Sequence, residues 1–108
     1  MYQDKMEKLY TKTRFRAVNG WLEVETSDAN LDTKSLTHIK LDRISHLTRE
    51  GPFGDYDHNG EPTEVWNVYI NTVRPSSEGR FIKHVVVFVF RDEHEAETFL
   101  MGINAKIY

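Results

Sequence analysis

The chain has 108 residues, 29% of them charged and 12% aromatic, with a formal net charge of -3 and no cysteine. That length fits one domain over 1–108, and the missing cysteine excludes a disulfide framework, a thiolate zinc site and a thiol nucleophile. The excess of acid argues against nucleic acid as a partner, because such binding draws on Lys and Arg to neutralise phosphates. No apolar run approaches the roughly 20 residues that cross a bilayer, and Met1-Tyr2-Gln3-Asp4-Lys5 lacks the apolar segment of a secretory signal, so no membrane span and a cytoplasmic location are expected.

In chain order, Met6, Leu9 and Tyr10 fit either a helical turn or an extension of the strand that follows. The first firm signal is Asn19-Gly20, which suits the two positive φ angles of a tight hairpin turn. Pairing Val18 with Trp21 sets Ala17 against Leu22, Arg16 against Glu23, Phe15 against Val24 and Arg14 against Glu25. Apolar pairs then share one face and opposite charges the other. Ser27 to Ser35 reads as a polar loop. Alternation resumes in Thr37 to Leu41, slips at Asp42-Arg43 and restarts at Ile44, which predicts a bulge or corner.

Gly51 to Glu64 reads as a second loop. In Val65 to Val73, Trp66, Val68 and Ile70 lie on one face and Asn67, Tyr69 and Asn71 on the other. Val85 to Phe90 is apolar on both faces, the mark of a strand inside a sheet. Asp92 is a good N-cap with Glu95 three residues on. Ala96, Phe99, Leu100, Ile103 and Ile107 then form a helical stripe. Gly102 interrupts that helix, and a close approach to the sheet would offset its cost of roughly 1 kcal/mol. The expected fold is α+β, an antiparallel sheet of five to six strands followed by one C-terminal amphipathic helix.

Two stretches, His38 to Leu47 and Val85 to Ala96, resemble parts of small bacterial and phage pleckstrin-homology-like domains. His38 to Leu47 is similar to their I-x-L-x-x-I-x-x-I segment, and Val85 to Phe90 with Arg91 to Ala96 is similar to their last strand and acidic helix start. The resemblance implies strands first and helix last, with non-catalytic binding of proteins or lipid headgroups as the commonest role.

Asp55-x-Asp57-x-Asn59-Gly60 matches the opening of an EF-hand calcium loop. The twelfth position is Trp66 where a carboxylate is needed, and Pro62 lies inside, so no metal is the first reading. Asp55, Asp57, Asn59 and Glu64 are the ligand set of the second. His94 is alone in its helix and His38 and His46 are eight residues apart, unlike a paired-imidazole site. Lys12, Arg14 and Arg16 read as a salt-bridged face opposite Glu23 and Glu25. No nucleophile elbow, phosphate loop or dinucleotide motif occurs, so neither enzyme activity nor a cofactor is expected.

Phe53, Tyr56 and Tyr69, with Asn67 and Asn71 beside them, have the composition of a protein-contact surface. The functional expectation is a non-catalytic binding domain acting through a protein partner or by self-association as a homo-oligomer, of the type of phage or mobile-element inhibitors and accessory proteins. A calcium- or small-ligand-binding module using the 55–64 loop is the alternative.

Overall fold

The computed structural model describes residues 6–10, 12–28, 33–57 and 59–107. Among these residues seven strands precede one helix: β1 (Met6–Tyr10), β2 (Lys12–Val18), β3 (Trp21–Asp28), β4 (Thr33–Lys40), β5 (Ile44–Tyr56), β6 (Pro62–Pro75), β7 (Phe81–Phe90) and α1 (Glu93–Ile107). They form two sheets where one was expected, a four-stranded sheet in the order β1-β7-β6-β5 and a three-stranded sheet in the order β2-β3-β4. All pairings are antiparallel except β1 with β7, which run parallel.

The expected single sheet divides because the chain changes sheet twice. Leu41–Arg43 forms a single 3-10 turn, and the Leu41 N–H donates to the Gly20 carbonyl at 3.0 Å. The slip in alternation at Asp42-Arg43 is therefore a corner that carries the chain from β4 into β5. The second change falls between Tyr10 and Lys12, where the chain leaves the edge of the larger sheet for the edge of the smaller.

The first hairpin takes the expected register at every pair from Val18–Trp21 to Arg14–Glu25. Asn19 and Gly20 both have positive φ, 51° and 82°, as a twisted two-residue turn demands. Parts of two segments read as loops are instead strand: residues 29–32 of the first lie outside the described residues, and in the second Asp57 and residues 59–61 belong to neither strand. β3 and β4 pair out to Asp28 and Thr33, because Ser and Thr alternation tolerates an exposed edge as well as a loop. β5 and β6 likewise pair through Tyr56 and Pro62. As a result Pro52 lies inside β5, Pro62 opens β6 and Pro75 closes it.

The main core joins both sheets and the helix: Leu22, Val24 and Ile39 from the smaller sheet, Val68, Ile70, Val86, Phe88 and Phe90 from the larger, and Ala96, Phe99 and Ile103 from α1. Leu100 and Ile107 complete the helical stripe as partly buried neighbours. The Phe99 ring meets Phe15, Phe88 and Phe90 with centroids 5.1–5.3 Å apart, a spacing favoured by edge-on aromatic contact. The Asp92 carboxylate accepts from the His94 N–H at 3.2 Å, so Asp92 is the N-cap. Gly102 faces the Phe15 ring so closely that a Cβ there would lie 2.3 Å from its Cζ. The expected close approach thus exists, and it brings α1 against β2. Among the described residues no helix is long and apolar enough to cross a membrane.

Candidate functional site

Among the described residues β5 is an edge strand of 13 residues, paired on one side, with β6. The last β6–β7 pair is Trp66–Phe90, so Phe53–Tyr56 and Pro62–Val65 continue past β7 as a two-stranded ribbon. A ribbon without a third strand has little apolar cover, and residues 50–54 are exposed throughout. Phe53 keeps 42% and Tyr56 69% of its surface in water.

The β5 backbone is not a plain edge. The register with β6 shifts between Ile44 and His46 and again between Glu50 and Phe53. At the second shift Gly51 has φ +144°, and a Cβ there would stand 2.7 Å from Trp66 Cδ1. Only glycine meets both conditions without displacement. The bulge re-aims the strand, placing Phe53 opposite Val65 on the face away from the core.

Register sorts the predicted contact residues. Phe53, Asn67, Tyr69 and Asn71 share the outer face of the larger sheet, while Tyr56, opposite Pro62, belongs to the other face. That outer face is less solvated than its polar sequence suggested. Val65, Val87 and Val89 are buried there with Tyr69 and Val85 packed against them, and Asn67 is only 8% exposed. Asn67 Nδ2 lies 3.1 Å from the Tyr69 hydroxyl, and Asn67 Oδ1 is buried without a hydrogen-bond partner. In either orientation of that amide one buried polar atom stays unsatisfied, at a cost of roughly 1–3 kcal/mol. A hollow of about 390 Å³ on this face is lined by His46, Thr48, Glu50, Tyr69 and Asn71 among others. The predicted surface is thus not one patch: Phe53 is exposed on the outer face with Tyr69 half-buried on the same face, and Tyr56 is exposed on the other.

The acidic segment is the tip of the ribbon. Asp57 Oδ1 accepts the N–H groups of Asn59 and Glu61, both at 2.9 Å, and the Gly60 N–H donates to the Asp57 carbonyl. Asp57 therefore braces a turn, as Asx residues commonly do. Asp55 and Glu64 lie in the strands, opposite Thr63 and Gly54, so register sets them on opposite faces of the ribbon. Convergence of alternate oxygens, which a calcium loop requires, is absent from this geometry. No group of three or more His, Asp or Glu that could hold a metal occurs among the described residues.

Of the hairpin face expected to be salt-bridged, Arg16 and Glu23 do pair, while Arg14 and Glu25 are related by register alone. Arg16 pairs with Glu23 at 3.3 Å across the first hairpin, and His38 Nε2 lies 3.7 Å from the same carboxylate. Arg49 reaches Glu93 at 3.1 Å, tying β5 to the start of α1. Sequence reasoning missed a second surface, the cleft lined by Trp21, His38, Lys40, Arg43 and His84. These residues come from four separate elements, β3, β4, the Leu41–Arg43 turn and β7, and the corner at Leu41–Arg43 hinted at their meeting. Comparison of the chain with models of known families, with curated proteins and with solved structures gives no match.

Proposed function

We propose that the chain is a non-catalytic, cytoplasmic binding domain that engages a protein partner through the β5–β6 ribbon. The observation that carries this reading is the two exposed aromatics, Phe53 and Tyr56, on a projecting ribbon whose β5 edge pairs with no further strand among the described residues. An unpaired edge offers N–H and C=O groups to an added strand. Exposed rings beside it supply rigid contact area at small entropic cost. Helix-last order with strands first also suits the pleckstrin-homology-like resemblance, whose commonest role is binding, although fold does not fix function. An inhibitor or accessory protein would need no more than such a surface, and a second copy of the chain could occupy it as well as a different protein.

The test compares the natural chain with a Phe53→Lys, Tyr56→Lys double variant. Both side chains are exposed, so an unchanged thermal melt should accompany the substitution. Light scattering across concentrations reads self-association, and capture from lysate reads other partners. The double variant should lose whichever interaction the natural chain shows. Equal capture by both, with a monomer at every concentration, would sink the proposal.

A further inference from the structure

We infer that the tip of the β6–β7 hairpin docks the β5–β6 ribbon of a second copy, so that copies join head to tail. This rests on the reading of the ribbon as the contact surface and names its partner. At the hairpin tip Phe81 keeps 73% and Ile82 36% of its surface in water. β5 pairs with β6 only as far as Thr72, and β1 pairs with β7 only from Val85 on. Among the described residues, 73–75 and 81–83 therefore pair with each other alone and form a second projecting ribbon. Its turn is braced, since the Ser76 hydroxyl accepts the N–H groups of Glu78 and Arg80 at 3.3 and 3.2 Å. Asp57 braces the other tip in the same way. Two preorganised tips lose little entropy when they meet.

Charge selects the occupant. Residues 50–64 hold five acids and no Lys or Arg, whereas residues 73–83 hold Arg74, Arg80 and Lys83 against Glu78. Glu61 and Glu64 are exposed at one end and the three cations at the other. No ion pair among the described residues engages any of these five. β6 runs from one tip to the other. Its 14 residues span about 45 Å at roughly 3.3 Å each, close to the 47 Å of the molecule's longest extent. Salt at 0.1 M screens charges beyond about 10 Å, so the two ends cannot neutralise each other within one chain. A second copy brings them together. The match holds on both faces of the sheet. The outer face carries Phe53 and Asp55 at the acidic end and Phe81 and Lys83 at the basic end, and the inner face carries Tyr56 and Glu64 against Ile82 and Arg74. Each face thus offers a ring with a carboxylate to an apolar side chain with a cation. Because two different surfaces meet, the contact is heterologous and repeats from copy to copy.

The experiment is sedimentation velocity of the whole chain from micromolar to millimolar concentration. Mass should grow with concentration in roughly 0.01 M salt, and affinity should fall by about tenfold or more in roughly 0.3 M salt. Two variants isolate the ends, Phe53→Lys with Tyr56→Lys on the ribbon and Arg80→Ser with Phe81→Ser on the hairpin. All four side chains are exposed, so circular dichroism and melting should show both variants folded. Each alone should stay monomeric where the natural chain associates. Mixed in equal amounts they should form a one-to-one dimer that grows no further, because one supplies an intact hairpin and the other an intact ribbon. A hairpin variant that associates as the natural chain does would overturn the inference and leave the ribbon reading standing. A ribbon variant that does so would overturn both. A natural chain that stays monomeric at every concentration would overturn the inference, leaving the ribbon reading to capture from lysate. So would a hairpin needed for binding phosphatidylserine vesicles and not for self-association.

Discussion

Replacing Gly102 with alanine sets two effects of opposite sign against each other in one residue. Alanine in a helix interior is better than glycine by about 1 kcal/mol, so an exposed Gly102 would gain stability on substitution. Here the new methyl carbon would lie 2.3 Å from Phe15 Cζ and 3.1–3.3 Å from two further ring carbons. Ordinary contact requires the ring or the helix to retreat by about 1 Å. The ring has little room, since it is set edge-on against Phe99 at 5.3 Å. Overpacking of this kind costs about 1–3 kcal/mol, so the net change is a loss of about 1 kcal/mol. For a domain of this size that lowers Tm by about 4 °C. Urea unfolding of the wild type, Gly102→Ala, Phe15→Leu and the double variant measures the coupling directly. The shorter Leu should release the clash, leaving the double variant at least about 1 kcal/mol more stable than additivity predicts. A Gly102→Ala protein more stable than wild type by the full helix-propensity difference would refute the reasoning.

Gly51→Ala should destabilise by about 2 kcal/mol or more, because it adds a left-handed backbone penalty to a collision with Trp66; chemical denaturation reads it, and a neutral result would mean the bulge relaxes. Gly20→Ala should cost about 1 kcal/mol at φ 82°, whereas Gly54→Ala, with open space around it, should stay within about 0.5 kcal/mol. Millimolar calcium should leave the thermal midpoint unchanged, since Asp57 braces its own turn; a rise of several degrees would show a ligand specific to the folded state.

Local rules make the hairpin at Asn19-Gly20, the cap at Asp92 and the inward face of β6 legible in the amino-acid sequence. Each is decided by residues close in the chain or by a period along one element. The division into two sheets is not legible there, because it depends on where a strand turns out of plane, and Asp42-Arg43 signals a break without its direction. Segment 51–64 misleads for a different reason. Gly, Pro and Asp are loop formers on average, yet Gly51 and Pro52 serve here to build a bulge within a strand. The candidate surface is legible in part. Phe53 and Tyr56 are exposed as expected but on opposite faces of the ribbon, and Asn67 and Tyr69 cover buried valines, which the position of β7 beside β6 decides.

The parallel pairing of β1 with β7 has a consequence for the order of assembly. Its partners, from Met6–Val85 to Tyr10–Val89, are separated by most of the chain, whereas the β2–β3 hairpin closes across two residues. Closing the longer loop costs more entropy and is slower. On the ribosome β1 emerges ahead of the other six strands and must wait, because its place in the sheet does not exist until the β6–β7 hairpin has formed. The strand synthesised before the others is therefore among the last to dock, and the larger sheet is completed only when β7 is available.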